Sequence, residues 1–148
     1  MKYVTYIQLG LLAAGLCGCS VEAQQVNFGQ DQCHYCKMAI VDRRFAALSV
    51  TNKGKQFNYD ATECVVNEIR KNANEPELSI IRVSDYTGGG WTEASKATYL
   101  ISPRIKSPMG AFLAAFSTSE AATKARGEYG GEVYDWPKLK EKLSSETR

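Results

Sequence analysis

The chain has 148 residues, with 18 Lys and Arg set against 16 Asp and Glu and a formal net charge of +2. So slight a balance, with both signs scattered along the chain, leaves no electrostatic footprint for nucleic acid. With a single histidine and no paired acidic motif, a nucleophile and its base would have to be Cys36 and His34. Nothing beside them suggests an oxyanion site, so the composition argues against an enzyme.

The first residues read as an export signal. Lys2 supplies a short positive region and residues 7–16 an apolar stretch too short to span a bilayer. Leu16-Cys17-Gly18-Cys19 resembles a bacterial lipobox, in which the small residue admits the signal peptidase and the last cysteine carries the lipid. Residues 1–18 are then a lipoprotein signal peptide, Cys19 the lipidated residue, and the chain is expected in the bacterial envelope, facing the periplasm. An ordinary cleaved signal with incidental cysteines is the plainer alternative. Cleavage removes Lys2 and takes the charge from +2 to +1. It leaves Cys33, Cys36 and Cys64 outside the anchor, an odd set in which at least one thiol stays free, pairs between molecules or binds something. Residues 19–32, polar and without periodicity beyond Val21, read as a flexible tether.

The folded part, residues 33–148, has a length suited to one compact domain or two small, intimately packed halves, and it presents one order of elements twice. Residues 45–51 predict a strand, 52–55 a hairpin turn and 56–59 its partner. Asp60 with Glu63 fits a capping box, and Val65, Val66 and Ile69 give the following helix an apolar face as far as Lys71. Residues 72–77, with Pro76, end it, and the β-branched run at 78–83 is the returning strand. After Gly88-Gly89-Gly90, strands are predicted over 98–101 and 111–116, separated by a loop holding Pro103, Pro108 and Met109. Ser117 or Thr118 caps a helix over 119–126, Gly130-Gly131 leads into a strand over 132–134, and Asp135 with Pro137 marks a final amphipathic helix over 136–143. The expectation is an α+β fold of two β-β-α-β halves with a C-terminal helix.

Chemistry concentrates in Cys33-His34-Tyr35-Cys36-Lys37-Met38, which packs two thiols, an imidazole and a thioether into six residues. Soft sulfur donors with one imidazole select Cu(I) over hard cations that want oxygen. A Cys36 thiolate binds this ion strongly, and Met38 adds a neutral donor with no proton to lose. Two or three soft ligands suffice, and few ligands leave room for an incoming donor. If the segment is extended, Cys36 and Met38 lie on the same face; an extended or a turn conformation suits the segment.

At this point the sequence resembles the NosL family, the copper-binding lipoproteins that accompany nitrous oxide reductase. The resemblance is carried by Cys36-Lys37-Met38 within a Cys-x-x-Cys-x-Met-x-Ile segment, residues 57–64 with Asp60, and residues 91–99. It continues through Pro108-Met109-Gly110, Ala115-Phe116, Gly130-Gly131 and Trp136. It implies a periplasmic chaperone of two β-β-α-β halves that delivers Cu(I) to a copper enzyme or its membrane assembly complex. It makes Cys36 and Met38 the firmest ligands and Met109 a further candidate. Cys33 and His34 are not part of every member's motif, so their places rest on this chain's own residues.

Each candidate has a plainer reading. Cys33 and Cys36 have the spacing of a redox pair or small disulfide; Met38 can begin an apolar strand face with Ile40; His34 can be a hydrogen-bonded surface residue; Met109 can fill a gap in the core. Cys64 reads as a buried inert thiol, with a disulfide to Cys33 or Cys36 as the alternative. Structural zinc on Cys33, Cys36, His34 and Cys64 is disfavoured because a Cys-x-x-Cys knuckle lacks a second paired set. Three functional readings follow: a lipid-anchored Cu(I) carrier, an envelope thiol-disulfide oxidoreductase using Cys33 and Cys36, and an interaction module whose cysteines only staple its amino-terminal loop.

Overall fold

The computed structural model describes residues 21–145. The expected signal peptide at 1–18 and the lipid-bearing Cys19 lie outside the described residues. Along the described chain run β1 (Ala47–Thr51), β2 (Gln56–Tyr59), α1 (Thr62–Asn72), a 3-10 turn (Glu75–Glu77), β3 (Leu78–Ser84) and β4 (Trp91–Glu93). They are followed by β5 (Thr98–Ile101), β6 (Leu113–Phe116), α2 (Ser119–Tyr129), β7 (Glu132–Tyr134) and α3 (Trp136–Ser145).

The fold is α+β, and the two halves share a topology. The first sheet is antiparallel in the order β2-β1-β3-β4, the second antiparallel in the order β6-β5-β7. In each half the first strand of the β-β-α-β unit is central, its hairpin partner lies on one side, and the strand after the helix returns on the other. β4 is an addition, paired to β3 through Val83 opposite Thr92. At three residues it is too short to carry a readable period, which is why only the turn-rich Gly88-Gly89-Gly90 before it stands out in the sequence.

Alternation in the second sheet shows how the halves pack. Tyr99, Leu113 and Ala115 join the larger core with Leu48, Val50, Val65 and Ile69, whereas Leu100, Ala114 and Phe116 pack with Ala122 and Ala125 of α2. Successive residues of a strand face opposite ways, so this sheet is covered by α2 on one side and by the first half on the other. α3 closes the larger core with Trp136, Leu139 and Leu143. The Trp136 ring lies 5.7 Å from that of Tyr99, and its indole N–H donates to Glu75 Oε1 at 2.9 Å.

Three local expectations change. The capping box fails because Ala61, in extended conformation, is the N-cap of α1 without a side-chain cap. The helix starts one residue later than a cap at Asp60 requires, and the Glu63 carboxylate turns instead to the loop before β6. β6 begins at Leu113 rather than 111 because Phe112 holds a positive φ of 56°. Within the stretch read as a tether, Val26 is only 3% exposed, Val21, Ala23 and Phe28 pack on the larger core, and Gln24 N–H donates to Gln56 Oε1 at 2.7 Å. Four apolar residues spaced without period escape a reading that looks for periodicity.

Gly131 is fixed by geometry. Its φ is +92°, and a Cβ there would meet Ile101 O at 2.1 Å. Only glycine lets β7 approach β5 this closely.

Candidate metal centre

The six-residue cysteine segment forms the tip of a small hairpin. Gln32 and Ala39 form an antiparallel bridge, Cys33 N–H donates to Met38 O at 2.8 Å, and Lys37 N–H donates to Cys33 O at 3.0 Å. The chain reverses at Lys37, whose φ is 66°. That left-handed residue between Cys36 and Met38 makes the segment a turn, the second of the two conformations open to it from sequence, and a non-glycine residue keeps such a φ only when its surroundings hold it. They do so here: Lys37 Nζ donates to His34 O, His34 N–H donates to Asn58 O of β2 at 2.8 Å, and Asn58 Nδ2 donates to Asp31 Oδ2 at 2.9 Å.

The third thiol comes from α1. With Ala61 as N-cap, Cys64 occupies the third helical position, and its backbone N–H donates to Ala61 O at 3.0 Å. Cys33, Cys36 and Cys64 are all free, and their sulfurs lie within 4.8 Å of one another. A trigonal ion with metal–sulfur bonds of about 2.3 Å, the Zn–thiolate value, needs sulfurs about 4 Å apart. The group is thus nearly at ligand spacing without large motion. Cys33 and Cys64 are fully buried, and Cys36 is half-buried.

The three thiols are electrostatically unequal. Cys33 is held down to about 5, first by a hydrogen bond from the Cys64 thiol and then, against burial, by the backbone N–H groups of Asp60 and Cys36. The Cys36 N–H lies 3.5 Å from Cys33 Sγ. Cys64 is pushed up, chiefly by that same hydrogen bond to Cys33 and then by burial. Cys36 is raised by burial, against the Met38 backbone N–H that donates to its sulfur. One thiolate is already prepared, and the other two thiols release protons when a metal replaces them.

Two buried carboxyls flank the group. Asp60 is 2% exposed, its carboxyl is raised by burial and then by the charge on Cys33, and its Oδ1 has no hydrogen-bond partner. Glu63, next to Cys64, accepts from Ser107 Oγ at 2.6 Å and from Ala111 N–H at 3.4 Å, while burial pushes its carboxyl up. It thereby fastens the loop carrying Met109 to the N-terminal turn of α1.

The residues singled out from sequence fall differently around this centre. Cys33 and Cys36 belong to it. Met38 adjoins Cys36 through its own N–H and leaves its side chain 43% exposed. Met109 is 39% exposed on the loop that Glu63 holds. His34 is not in the thiol group: its ring stacks on Phe57 at 4.3 Å between centroids, and Nε2 lies 3.6 Å from Glu68 Oε1. Cys64, read as a core thiol, is buried as expected but faces the other two. Its signal in the sequence is the odd cysteine count, which leaves one thiol outside any pair.

The family model for NosL matches residues 25–144. None of the curated proteins searched matches the chain. Among solved structures, the crystal structure of the copper chaperone NosL from Shewanella denitrificans superposes with a TM-score of 0.68 at 18% identity. The superposition covers 80% of this chain and 95% of that one, a likeness of fold. With the family match spanning the hairpin, both sheets and nearly all of α3, the chain belongs to the NosL family.

Proposed function

We propose that the protein is a membrane-anchored carrier that binds Cu(I) and delivers it for assembly of a copper enzyme, nitrous oxide reductase being the acceptor that the family suggests. The observation that carries this reading is the convergence of three free thiols, from a hairpin tip and a helix N-terminus, to within 4.8 Å. Soft donors at this spacing suit Cu(I). The solved relative is a copper chaperone. Cys36 and Met38 hold the ion, with Cys33 beside them; lipid on Cys19 keeps the carrier at the periplasmic face of the membrane, where a copper-receiving complex meets it.

The oxidoreductase alternative fits less well. Attack on a disulfide needs an accessible thiolate. Here the thiolate is on buried Cys33, while Cys36, which solvent can reach, has its thiol pushed up.

Anaerobic titration of the reduced protein with Cu(I) against a chromophoric chelator tests the reading. We expect one tightly held ion per chain, lost with Cys36→Ser and weakened with Met38→Leu. A wild-type protein that cannot outcompete even a weak chelator removes the copper reading. In cells, Cys19→Ser is expected to shift the protein from the membrane fraction to the soluble periplasm.

A further inference from the structure

We infer that Cu(I) occupies two successive positions in this protein: an outer one on Cys36 and Met38, and an inner three-thiolate one completed by Cys33 and Cys64. The inference rests on the copper reading above and adds a second site and a direction of movement to it.

Burial separates the donors into two tiers. Cys33 and Cys64 have no exposed surface, Cys36 is half-buried, and Met38 is 43% exposed. An ion arriving from solvent or from a partner's donors therefore reaches Cys36 and Met38 first. Met38 follows Cys36 directly past the turn at Lys37, on the exposed side of the hairpin tip. From there a thioether on three rotatable bonds can swing to an ion held by Cys36. Inward from Cys36, the other two sulfurs lie no more than 4.8 Å away.

Cys36 belongs to both positions, so the ion moves by ligand exchange without being released. The Cys36 thiol gives up its proton to solvent as the ion loads; the Cu–Met38 bond then breaks as bonds to the Cys33 thiolate and to Cys64 form, the Cys64 thiol loses its proton to solvent, and copper stays Cu(I) throughout. No electron is transferred. The inner position holds the ion more firmly because anionic sulfur replaces a neutral thioether and water is excluded. The outer one exchanges faster because it is open. Opposing requirements, tight storage and rapid transfer, are thus met by neighbouring donors sharing one cysteine.

The test uses the full-length reduced protein under anaerobic conditions, measuring Cu(I) affinity by chelator competition, the rate of release to the chelator, and the sulfur coordination of bound copper by X-ray absorption. Wild type is expected to bind one Cu(I) with three sulfur ligands. Cys64→Ser and Cys33→Ser should still load through Cys36 and Met38, with affinity lower by on the order of 100-fold and faster release, as loss of an anionic sulfur donor implies. Met38→Leu should keep affinity within about tenfold while slowing both loading and release, since only the neutral donor is lost. A Cys64→Ser protein with wild-type affinity and release rate overturns the inner position and leaves the carrier reading standing. So does a two-sulfur spectrum from wild type, which settles the matter even if the variants fail to fold. Wild type that takes up no Cu(I) at all removes the carrier reading and this one with it.

Discussion

Glu63 shows how one side chain serves a site without touching its cargo. Its Oε1 accepts from Ser107 and Ala111, while the other carboxylate oxygen is buried without a hydrogen-bond partner. Removing the acceptor strands a buried hydroxyl, so Glu63→Ala is expected to cost about 1–3 kcal/mol in urea unfolding. Glu63→Gln keeps the acceptor and removes a charge that burial disfavours, and should cost much less at neutral pH. If the two variants lose equal stability, the hydrogen bond to Ser107 is not what holds the loop. This role is invisible in the sequence, where Glu63 stands three residues after Asp60 and reads as half of a capping box. Local spacing is legible in one dimension, but a partner 44 residues away is not. The thiols repeat the lesson. Cys33, Cys36 and Met38 announce themselves by crowding, whereas Cys64 reaches them only because β2 places α1 beneath the hairpin.

At the scale of elements, the helices differ in how well their ends are made. Thr118 caps α2, accepting from Ala121 N–H at 3.2 Å, as its position predicts. α1 has no side-chain cap at its start and ends on Ala73 at a φ of 50°. A β-carbon in the left-handed region is strained, and glycine is the usual residue there. Ala73→Gly should therefore raise stability, by up to about 1 kcal/mol after the entropy of an unfolded glycine is subtracted. A fall in the urea midpoint would mean that Ala73 makes contacts outweighing its strain. The element order was readable because each strand and helix carries its own period and caps. The short β4 and the packed residues from Val21 to Phe28 were not, since they are held by neighbours rather than by any pattern of their own.

In the whole molecule, Asp85 pins one half to the other. It follows β3, and its Oδ1 accepts from Thr87 N–H, Thr87 Oγ1 and Gly88 N–H. Its Oδ2 accepts from Ser117 N–H beyond β6 at 2.7 Å. Burial alone would raise this carboxyl, but the donors of Ser117, Thr87 and Gly88 outweigh it and hold the group well below the usual carboxylate range. A folded-state pKa beneath the unfolded value of about 3.9 means the folded protein binds fewer protons. Its contribution is complete above that value and is lost as pH falls further. Asp60 and Glu63 act in the opposite sense, because raised pKa values favour folding at low pH and lose that contribution as pH rises. Asp85→Asn should cost about 1.5–3 kcal/mol at pH 7, as a charged acceptor is lost. The gap from wild type should narrow at pH 3; a gap unchanged between the two pH values would show that Asp85 acts by shape and not by charge.

Trp136, at the start of α3, gives the chain a built-in optical probe. Its indole is 5% exposed, sits beside Tyr99 of the second half, and is hydrogen-bonded to Glu75 of the first, whereas Trp91 on the outermost strand is 37% exposed. Intrinsic fluorescence therefore has a blue component, fed by energy transfer from Tyr99, that reports whether α3 still bridges the halves, above a red component from Trp91. Detachment of the terminal helix can be followed in real time, without a label and without touching a single cysteine.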